Sequence, residues 1–332
     1  MKIIFSESSN LNNSVYGNCQ APIKMFLEKR GEEFEQNSVL KNLFLMGSSK
    51  NYGDVMTTLT AMSGFEPVGE NGAYPLDGMQ EGYQKFLKYQ TWKDSFSVSK
   101  EMIEDGKLLD MRKQPAAFMT SYKRTRELFG AALYGAAMMG NGSVTFKGVK
   151  FDLTGADGSN LFAKEHVPKV SGDKQCNCFK DAFSVDTLGK LETKMHLFRG
   201  DNDEILDVAP DTILIPENAD LKKAVFAAIG ADKDPVSANN AFNYQYGRWN
   251  VIVWPYLNHY ITNGVSPWVL LDSKYNETYG GAVWNDRVQL EVRSTVDENT
   301  DANVWRGRSR FNACFNDWRF AAIGGIAAGN SL

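Results

Sequence analysis

An aromatic segment without an obvious sheet of its own is the feature that most constrains how this chain can fold. Residues 65–105 begin with closely spaced glycine, proline and Asn-Gly turns and continue with a strand-like pattern of aromatic and β-branched residues. A two-stranded hairpin is only marginally stable alone in water. This arm must therefore lie on another surface, supplied either by the rest of the chain or by a second copy of the protein.

The sequence after the arm predicts one long helix over residues 115–139. Pro115 suits the first helical position, where its missing N–H is not needed, and Gly140-Asn141-Gly142 is a strong stop signal. About 25 residues at 1.5 Å each make this helix roughly 37 Å long. Its second half is rich in glycine and alanine, which favours close packing beneath a sheet.

Shorter patterns fill the rest of the chain. Helices are predicted over residues 52–62 and 100–113, a hairpin around Gly148, and a Ser184-capped helix up to residue 198. Further strands are predicted at residues 212–215, 249–254, 267–271, 288–293 and 318–323, with a helix at 219–229. Strands and helices that are mixed in this way predict the α+β class.

Composition limits the possible functions. The 332 residues are 43% hydrophobic and 23% charged, which is ordinary for a soluble globular protein. A net charge of -4 argues against a dedicated nucleic-acid binder. No apolar run approaches the roughly 18 residues of a membrane span. The first residues lack the features of a secretory signal, so we expect cytoplasmic synthesis.

Motifs that carry chemistry are missing from the sequence. It contains neither a phosphate-binding glycine loop nor a nucleophile elbow. Cys176-Asn177-Cys178 is the one close cysteine pair, and a metal site there would need further ligands, of which His166 is the nearby candidate. Reduced loop cysteines are the favoured interpretation. We therefore predict no catalytic, cofactor-binding or metal-binding residue.

Three arginines alternate near the C-terminal end of the chain. On a strand, Arg306, Arg308 and Arg310 would share one face, because successive side chains point to opposite sides. That basic strip could contact acidic neighbours or phosphate. It could equally protect an edge strand against unwanted pairing. The sequence leaves both interpretations open.

The order of these elements resembles the major capsid proteins of tailed bacteriophages, which have the HK97-type fold, and in detail the Mu-like major head subunits. The resemblance lies in YPLDGMQEGYQKFLKYQTWKDSFSVSKEMIEDG (74–106), RTRELFGAALYGAAMMGN (124–141), ILDVAPDTILIPENADLKKAVFAAIG (205–230), GRWNVIVWPYLN (247–258) and WVLLDS (268–273). It covers nearly the whole chain after about residue 40, and the order and spacing of these stretches carry it.

The resemblance implies a division of the chain into named parts. These are an N-terminal arm (1–64), an E-loop and its return (65–105), a P-domain (106–186) with the spine helix 115–139, an A-domain (187–280), and P-domain return strands with the C-terminal segment (281–332). The P-domain sheet would be built from residues 144–153, 288–293 and 318–323. The hairpin of the E-loop would project from the body.

The resemblance also implies a structural role without enzymatic activity. The chain would be a major head subunit that assembles through hexamers and pentamers into an icosahedral shell around double-stranded phage DNA. The aromatic residues expected at the subunit interface are Phe65, Tyr74, Tyr83, Phe86, Tyr89, Trp92 and Phe96. The residues expected in an inward basic patch are Arg112, Lys123, Arg124 and Arg126, although a solvated helix face is the favoured alternative.

The expected partners follow from the same resemblance. Fewer than 65 residues precede the E-loop, so scaffolding is expected from a separate protein, with a portal and with or without a decoration protein. Packaged DNA would be contacted non-specifically, and we expect no cofactor and no membrane. The shell would be assembled in the host bacterial cytoplasm and found in the virion. The E-loop contains three lysines at positions suited to an HK97-type isopeptide cross-link, namely Lys85, Lys88 and Lys93. We favour the interpretation that these lysines face solvent and form no cross-link.

Two alternatives remain open. An encapsulin-like compartment shares the fold but packages enzymes instead of DNA. An enzyme of unrecognised type would need a pocket with paired titratable groups, and the sequence indicates none.

Overall fold

The computed structural model describes residues 3–7, 17–59, 65, 67–70, 72–74, 76, 81–105, 108–170, 172–230, 243–262 and 264–326. The strands, in chain order, are β1 (Ile4–Glu7), β2 (Leu45–Ser48), β3 (Gly53–Leu59), β4 (Glu81–Lys88), β5 (Gln90–Val98), β6 (Ser143–Phe146), β7 (Val149–Asp152), β8 (Thr212–Ile215), β9 (Asn250–Val253), β10 (Trp268–Leu271), β11 (Ala282–Asp297), β12 (Ala302–Phe315) and β13 (Ala321–Gly324). The α-helices are α1 (Gly17–Gln36), α2 (Leu40–Leu43), α3 (Lys100–Glu104), α4 (Leu108–Met138), α5 (Val185–His196), α6 (Ala219–Ile229) and α7 (Ser273–Tyr279). The predicted α+β class is confirmed.

A five-stranded sheet organises one half of the molecule. The long antiparallel hairpin β11–β12 lies at its centre, and β5 pairs antiparallel with β12. On the side of β11 away from β12, two short strands pair with β11 one after the other, and both are parallel to β11. Strand β2 pairs with the first part of β11, and strand β1 pairs with a later part. Because strand side chains alternate, one face of this sheet collects aromatic residues and the other collects charged ones.

Helix α4 packs on the aromatic face. The ring of Phe129 lies 5.7 Å from Trp92, 5.5 Å from Trp284 and 6.0 Å from Phe311, measured between ring centroids. A Cβ atom at Gly307 on β12 would come within 2.3 Å of the Phe118 ring, so only glycine permits this close approach. The predicted spine under a sheet is therefore present, and its residues form the main core.

The boundaries of α4 differ from the predicted ones at its start. The helix begins at Leu108, seven residues before Pro115, and this proline lies inside it. An interior proline removes one backbone hydrogen bond, but it does not prevent a helix whose face is buried. Gly140 adopts a positive φ of 76°, and the N–H of Asn141 donates to the carbonyl of Ala136 at 3.1 Å. The predicted stop is confirmed.

A four-stranded sheet, in the order β13-β10-β8-β9, forms the second half. Every residue of β8, β10 and β13 is buried, which explains why these strands appear in the sequence as short apolar runs. The expectation that β13 joins residues 288–293 in one sheet is wrong, because β13 pairs with β10 instead. The predicted hairpin around Gly148 is present as β6–β7, also outside the five-stranded sheet.

Some of the other short elements were predicted correctly and some were not. Ser184 caps α5 through a reciprocal hydrogen-bonding arrangement with Thr187, as the sequence indicated. Residues 52–62 were expected to be helical, but Gly53–Leu59 is strand β3, whose partner β4 supplies its hydrogen bonds. A single helix over 100–113 is also wrong, because α3 ends at Glu104 and α4 begins only four residues later.

The aromatic arm differs most from its prediction. Its second half has a sheet within the same chain: strand β5 pairs with β12 along its whole length, from Gln90↔Phe311 to Val98↔Asn303. Strand β4, which precedes β5 in the arm, pairs with β3, and no further strand pairs with this hairpin among the described residues. The partner of β5 lies more than two hundred positions further along the chain, and no local pattern reveals such a pairing.

Candidate subunit interface and charged faces

Large apolar side chains between β3 and β4 are exposed. Phe65 and Leu76 are fully exposed, and 95% of the Tyr74 side chain is accessible. These three residues make no hydrophobic packing with the body of their own subunit. Several exposed large apolar side chains in one segment of the chain are typical of a surface that another molecule covers.

The β3–β4 hairpin adds a second exposed apolar surface. Val55 and Phe86 lie directly opposite each other in the antiparallel register, and both are more than half exposed. Tyr52 is similarly exposed, and the Lys88 ammonium lies 5.6 Å from the centre of its ring. The outward face of the hairpin therefore exposes this apolar pair between the exposed polar side chains of Gln84 and Lys88. We call this face, together with Phe65, Tyr74 and Leu76, the arm surface.

The inward face of β4 anchors the hairpin to the body. Leu87 and Tyr89 are buried against Cys314 of β12. The buried Lys85 ammonium lies 3.2 Å from Asp152 Oδ2 and donates to the Thr154 carbonyl. This contradicts the predicted orientation of Lys85, because a solvent-facing side chain was expected. Lys88 and Lys93 are exposed as expected.

A hydrogen-bonded cluster holds the base of the hairpin. The Tyr89 hydroxyl donates to Asp54, which also accepts from Ser49 Oγ at 2.9 Å and from Asn51 Nδ2 at 3.0 Å. Burial, together with the Asp54 contact, raises the pKa of Tyr89. Burial by itself would raise the pKa of Asp54, but its hydrogen bonds outweigh burial and hold that pKa below the usual value. The charged carboxylate is thus part of the folded hairpin.

The seven predicted interface residues occupy different environments. Phe65, Tyr74 and Phe86 are exposed, and Tyr83 is partly buried. The others pack within their own chain: Tyr89 is buried, Trp92 stacks on Phe311 at 5.2 Å, and Phe96 stacks on Trp305 at 6.0 Å. An interface role stays a prediction for the exposed members. Sequence reasoning failed to separate the two groups because both have the same aromatic pattern.

The predicted basic patch on α4 does not exist as one surface. Arg126 is buried and makes two hydrogen bonds to the carboxylate of Asp286, at 2.7 and 3.1 Å. Its guanidinium lies 4.7 Å from the centre of the Trp284 ring. Burial by itself would lower the pKa of Arg126, but nearby Tyr122 and Asp286 raise it above the usual value. Arg126 therefore joins α4 to β11 and is not available to DNA.

The other members of that patch are less constrained. Arg124 is exposed, and Lys123 is partly buried with its ammonium 5.6 Å from the Phe34 ring. The side chain of Arg112 lies outside the described residues. A DNA-facing role for these three positions stays a prediction.

The alternating arginines share one face of β12, as predicted. Arg306 and Arg308 are exposed and Arg310 is partly exposed, while the residues between them point into the core. However, β12 lies between β11 and β5 and is not an edge strand. Protection of an edge strand therefore does not explain these arginines. The other interpretation, a contact with an anionic partner, remains a prediction.

Cys176, Cys178 and His166 are engaged in local structure. Cys176 and Cys178 have their sulfur atoms 3.7 Å apart, and the Cys178 thiol lowers the pKa of Cys176 to about 6. The ring nitrogens of His166 lie 2.7 Å from Asp157 Oδ2 and 3.1 Å from Asn177 Oδ1. Within the described ranges, no three such side chains are grouped as metal ligands.

Comparison with known proteins gives the class and then the family. The chain is similar to the capsid structure of cyanophage P-SCSP1u, with 8% identity, a TM-score of 0.50, and coverage of 87% of this chain and 88% of that one. This likeness indicates a phage-capsid fold. A family model described as phage capsid protein matches residues 83–324, more than half of the chain. The chain therefore belongs to the phage capsid protein family.

Two further solved structures are similar to the chain. A chain from Mycobacterium phage Patience is 13% identical, with a TM-score of 0.48 and coverage of 99% of this chain and 94% of that one. A virus-like particle from Pyrococcus furiosus is 10% identical, with a TM-score of 0.47 and coverage of 91% and 97%. A search of curated proteins finds no match.

The family membership confirms the central prediction from the sequence. The chain is a structural protein, a major capsid subunit that forms a homo-oligomeric shell and is located in the virion capsid. An encapsulin-like compartment and an unrecognised enzyme are not favoured. The family description does not distinguish the Mu-like head subunits, so that refinement stays a prediction. In the part of the chain that the structure describes, we find no helix that could span a membrane.

Proposed function

We propose that this capsid subunit closes its shell by placing the arm surface on a neighbouring copy. The observation that carries the proposal is the exposure of Phe65, Tyr74 and Leu76, together with that of the Val55–Phe86 pair. Full burial of one such side chain contributes about 1.5–3 kcal/mol. A shell repeats that contact many times, so a modest stabilisation per copy becomes large for the particle.

The anchoring of the hairpin supports this role. The buried side of β4 and the Asp54–Tyr89 hydrogen bond hold the base of the arm on the body. The exposed Val55–Phe86 pair is thus presented at a defined position without being covered by its own subunit. Pre-organisation of this kind reduces the conformational entropy that is lost on association.

The shell that we propose is icosahedral, built from hexamers and pentamers, and encloses double-stranded phage DNA. A separate scaffolding protein, a portal and a possible decoration protein would act with the subunit during assembly in the host bacterial cytoplasm. The subunit itself would perform no catalysis. In this proposal residues 65–105 are the E-loop with its return and residues 187–280 are the A-domain.

Contact with the packaged DNA would be weak and non-specific. The subunit carries a net charge of -4, and affinity for duplex DNA comes mainly from neutralised phosphates. Purified subunit should therefore bind duplex DNA weakly, and added salt should weaken this binding further. Tight binding that resists salt, measured by filter retention, would contradict a passive lining.

Excision of the arm tip tests the proposed assembly role. Leu59 and Glu81 are paired across β3 and β4, so residues 60–80 can be replaced by an Asn-Gly turn without disturbing the hairpin. We expect a folded subunit by circular dichroism that forms no closed shells in electron micrographs. Normal shells from the excised chain would refute the arm as the assembly contact.

A triple serine substitution of Phe65, Tyr74 and Leu76 is a milder version of the same test. Its matched control replaces two exposed apolar residues outside the arm, Leu197 and Ile205, by serine. We expect shell yield to fall strongly for the arm variant and little for the control. Equal losses would show that general surface hydrophobicity, and not the arm, drives assembly.

A further inference from the structure

Two cysteines on one loop lie close enough to react with each other. The Sγ atoms of Cys176 and Cys178 are 3.7 Å apart, and both side chains are partly accessible to solvent. A disulfide bond is about 2.0 Å long, so bond formation would shorten this separation by about 1.7 Å. We call these two residues the dithiol. Its proximity and its access to solvent are what thiol–disulfide exchange requires.

The loop that carries the dithiol is attached firmly to the body. Asn177, between the two cysteines, is fully buried, and its side-chain amide donates to the carbonyls of Leu161 at 2.8 Å and Ala321 at 3.0 Å. Its side-chain oxygen accepts from the N–H of Ala163 at 3.0 Å. The N–H of Ile323 on β13 donates to the Asn177 carbonyl at 2.9 Å. These bonds fix the backbone between the two cysteines and hold the sulfur atoms near each other.

The two sulfur atoms of the dithiol differ in charge. The hydrogen bond with Cys178 lowers the pKa of Cys176 to about 6 against the opposing effect of burial, and the charges of Lys194 and His166 act in the same direction as this bond. The contact with Cys176 and burial both raise the pKa of Cys178, although Lys164 and Lys194 oppose this rise. At pH 7 Cys176 is therefore mainly a thiolate, which is the nucleophilic form, and Cys178 remains a thiol.

Cys314 on β12 has the opposite environment. Its side chain is 3% exposed, and its thiol donates to the sulfur atom of Met56 at 3.6 Å. Burial raises the pKa of Cys314 to about 11. A buried thiol that stays protonated is unreactive. The same chain therefore provides an internal standard against which the reactivity of the dithiol can be measured.

We propose that Cys176 and Cys178 form a thiol–disulfide exchange site whose substrate is a small-molecule disulfide, RSSR. The Cys176 thiolate attacks one sulfur of RSSR, forms a mixed disulfide and releases RS⁻. Cys178 then loses its proton to solvent and attacks the Cys176 sulfur, which forms the Cys176–Cys178 bond and releases the second RS⁻. The protein loses two electrons and RSSR gains them. After the first step Cys176 carries no charge, so the contact that raises the pKa of Cys178 is gone.

Oxidation of the reduced full-length protein by oxidised glutathione at pH 7 tests the proposal. Acid stops the reaction, N-ethylmaleimide in denaturant blocks the remaining thiols, and trypsin releases residues 175–180 with both cysteines in one peptide. We expect this peptide to lose two hydrogen atoms at least about ten times faster than Cys314 forms an adduct, because Cys314 is buried and protonated. If the peptide keeps two blockable thiols when Cys314 has reacted, or if wild type accumulates a lasting mixed disulfide, the proposal is wrong.

Single serine variants separate the two roles. Cys178→Ser should accumulate one glutathione on Cys176, because no second thiol displaces it. Cys176→Ser should form an adduct more slowly, because it lacks the thiolate that attacks RSSR. The matched control Cys19→Ser removes a cysteine outside the loop and should oxidise like the wild type. Equal rates of adduct formation in Cys176→Ser and Cys178→Ser would overturn Cys176 as the attacking residue.

A measurement on the wild type serves if thermal unfolding shows that the serine variants do not fold. Iodoacetamide at less than one equivalent should alkylate Cys176 before Cys178, because the thiolate is the nucleophile. Fragment masses of the peptide 175–180 show which cysteine carries the label. Equal labelling of the two cysteines, or earlier labelling of Cys178, would contradict the proposed roles.

Discussion

Two phenylalanines, Phe129 on α4 and Phe86 on β4, show how differently two regions of this subunit use the same side chain. Phe129 is 0% exposed and contacts aromatic rings from both β5 and the β11–β12 hairpin. Phe86 is 57% exposed and lies opposite Val55 on a hairpin that has no further strand among the described residues. Phe129 belongs to the buried core of the body, whereas Phe86 leaves its apolar surface available.

This difference separates folding from assembly. Packing within the body should determine the free energy of unfolding of the subunit, because the core residues of α4 and the sheet lie there. The arm surface should determine whether copies associate. The following substitutions test that separation, beginning with the largest expected effect on stability.

Replacing Phe129 by alanine should lower the free energy of unfolding by about 3–5 kcal/mol, because a large buried ring leaves a cavity. Urea unfolding of dissociated subunits, followed by tryptophan fluorescence, measures the change. A loss below about 1 kcal/mol would show that the aromatic layer between α4 and the sheet collapses without cost.

Removing one member of the buried ion pair should have a comparable effect. Asp286→Ala leaves the Arg126 guanidinium buried without its carboxylate, and such a loss costs about 3–5 kcal/mol. The double variant Arg126→Met/Asp286→Leu removes both charges and should recover a large part of the loss. If the double variant is no more stable than Asp286→Ala, burial of an unpaired charge is not the cause.

Glu127 should make the stability of the body depend on pH. Its carboxylate accepts hydrogen bonds from Ser38 Oγ at 2.8 Å and Trp254 Nε1 at 3.1 Å, and burial raises its pKa above the ordinary 4.5. A raised folded-state pKa means that this stabilisation is complete below about pH 4.5 and is lost as pH rises through the folded value. Glu127→Gln should therefore flatten the decrease in stability above pH 4.5, measured by urea unfolding at several pH values.

The matched control for Glu127 is Glu165→Gln, which changes an exposed carboxylate in the same way. We expect this control to follow the wild-type pH profile. If the stability of Glu127→Gln also depends on pH as the wild type does, Glu127 is not the titrating group.

The smallest effect on folding is expected at the arm. Phe86→Ala should change the free energy of unfolding by no more than about 0.5 kcal/mol, as exposed substitutions usually do. The same substitution should lower the yield of shells, counted by electron microscopy, because the arm surface loses its largest hairpin side chain. A destabilised subunit with normal shells would reverse the distinction between the two regions.

Local signals in the sequence predicted several elements correctly. Strand β8 and helix α6 have the predicted bounds, and the Ser184 cap and the Gly140 stop are present. Each depends on neighbouring residues, through capping hydrogen bonds, glycine conformations and short apolar runs. The alternation of Arg306, Arg308 and Arg310 also predicted correctly that they share a face, because side-chain direction in a strand has a period of two.

The candidate interface was predictable only in part. The aromatic pattern of residues 83–96 identified a segment that needs a surface, but it could not show that β5 has one in β12 and that the outer face of β4 does not. Likewise, nothing in the sequence near Arg126 indicates Asp286, which lies 160 positions away. One basic residue was therefore predicted on a surface although it is buried.

The amino-acid sequence by itself determined the α+β class, the long helix, the order of the elements, and the likeness to phage capsid subunits. These properties depend on local propensity and on the order of motifs along the chain. Only the tertiary structure decided which aromatic residues the body buries, which sheet receives β13, and that Arg126 of α4 is buried. The reason is that strand pairing and burial join residues that are distant in the chain, and a local pattern is compatible with several such partners.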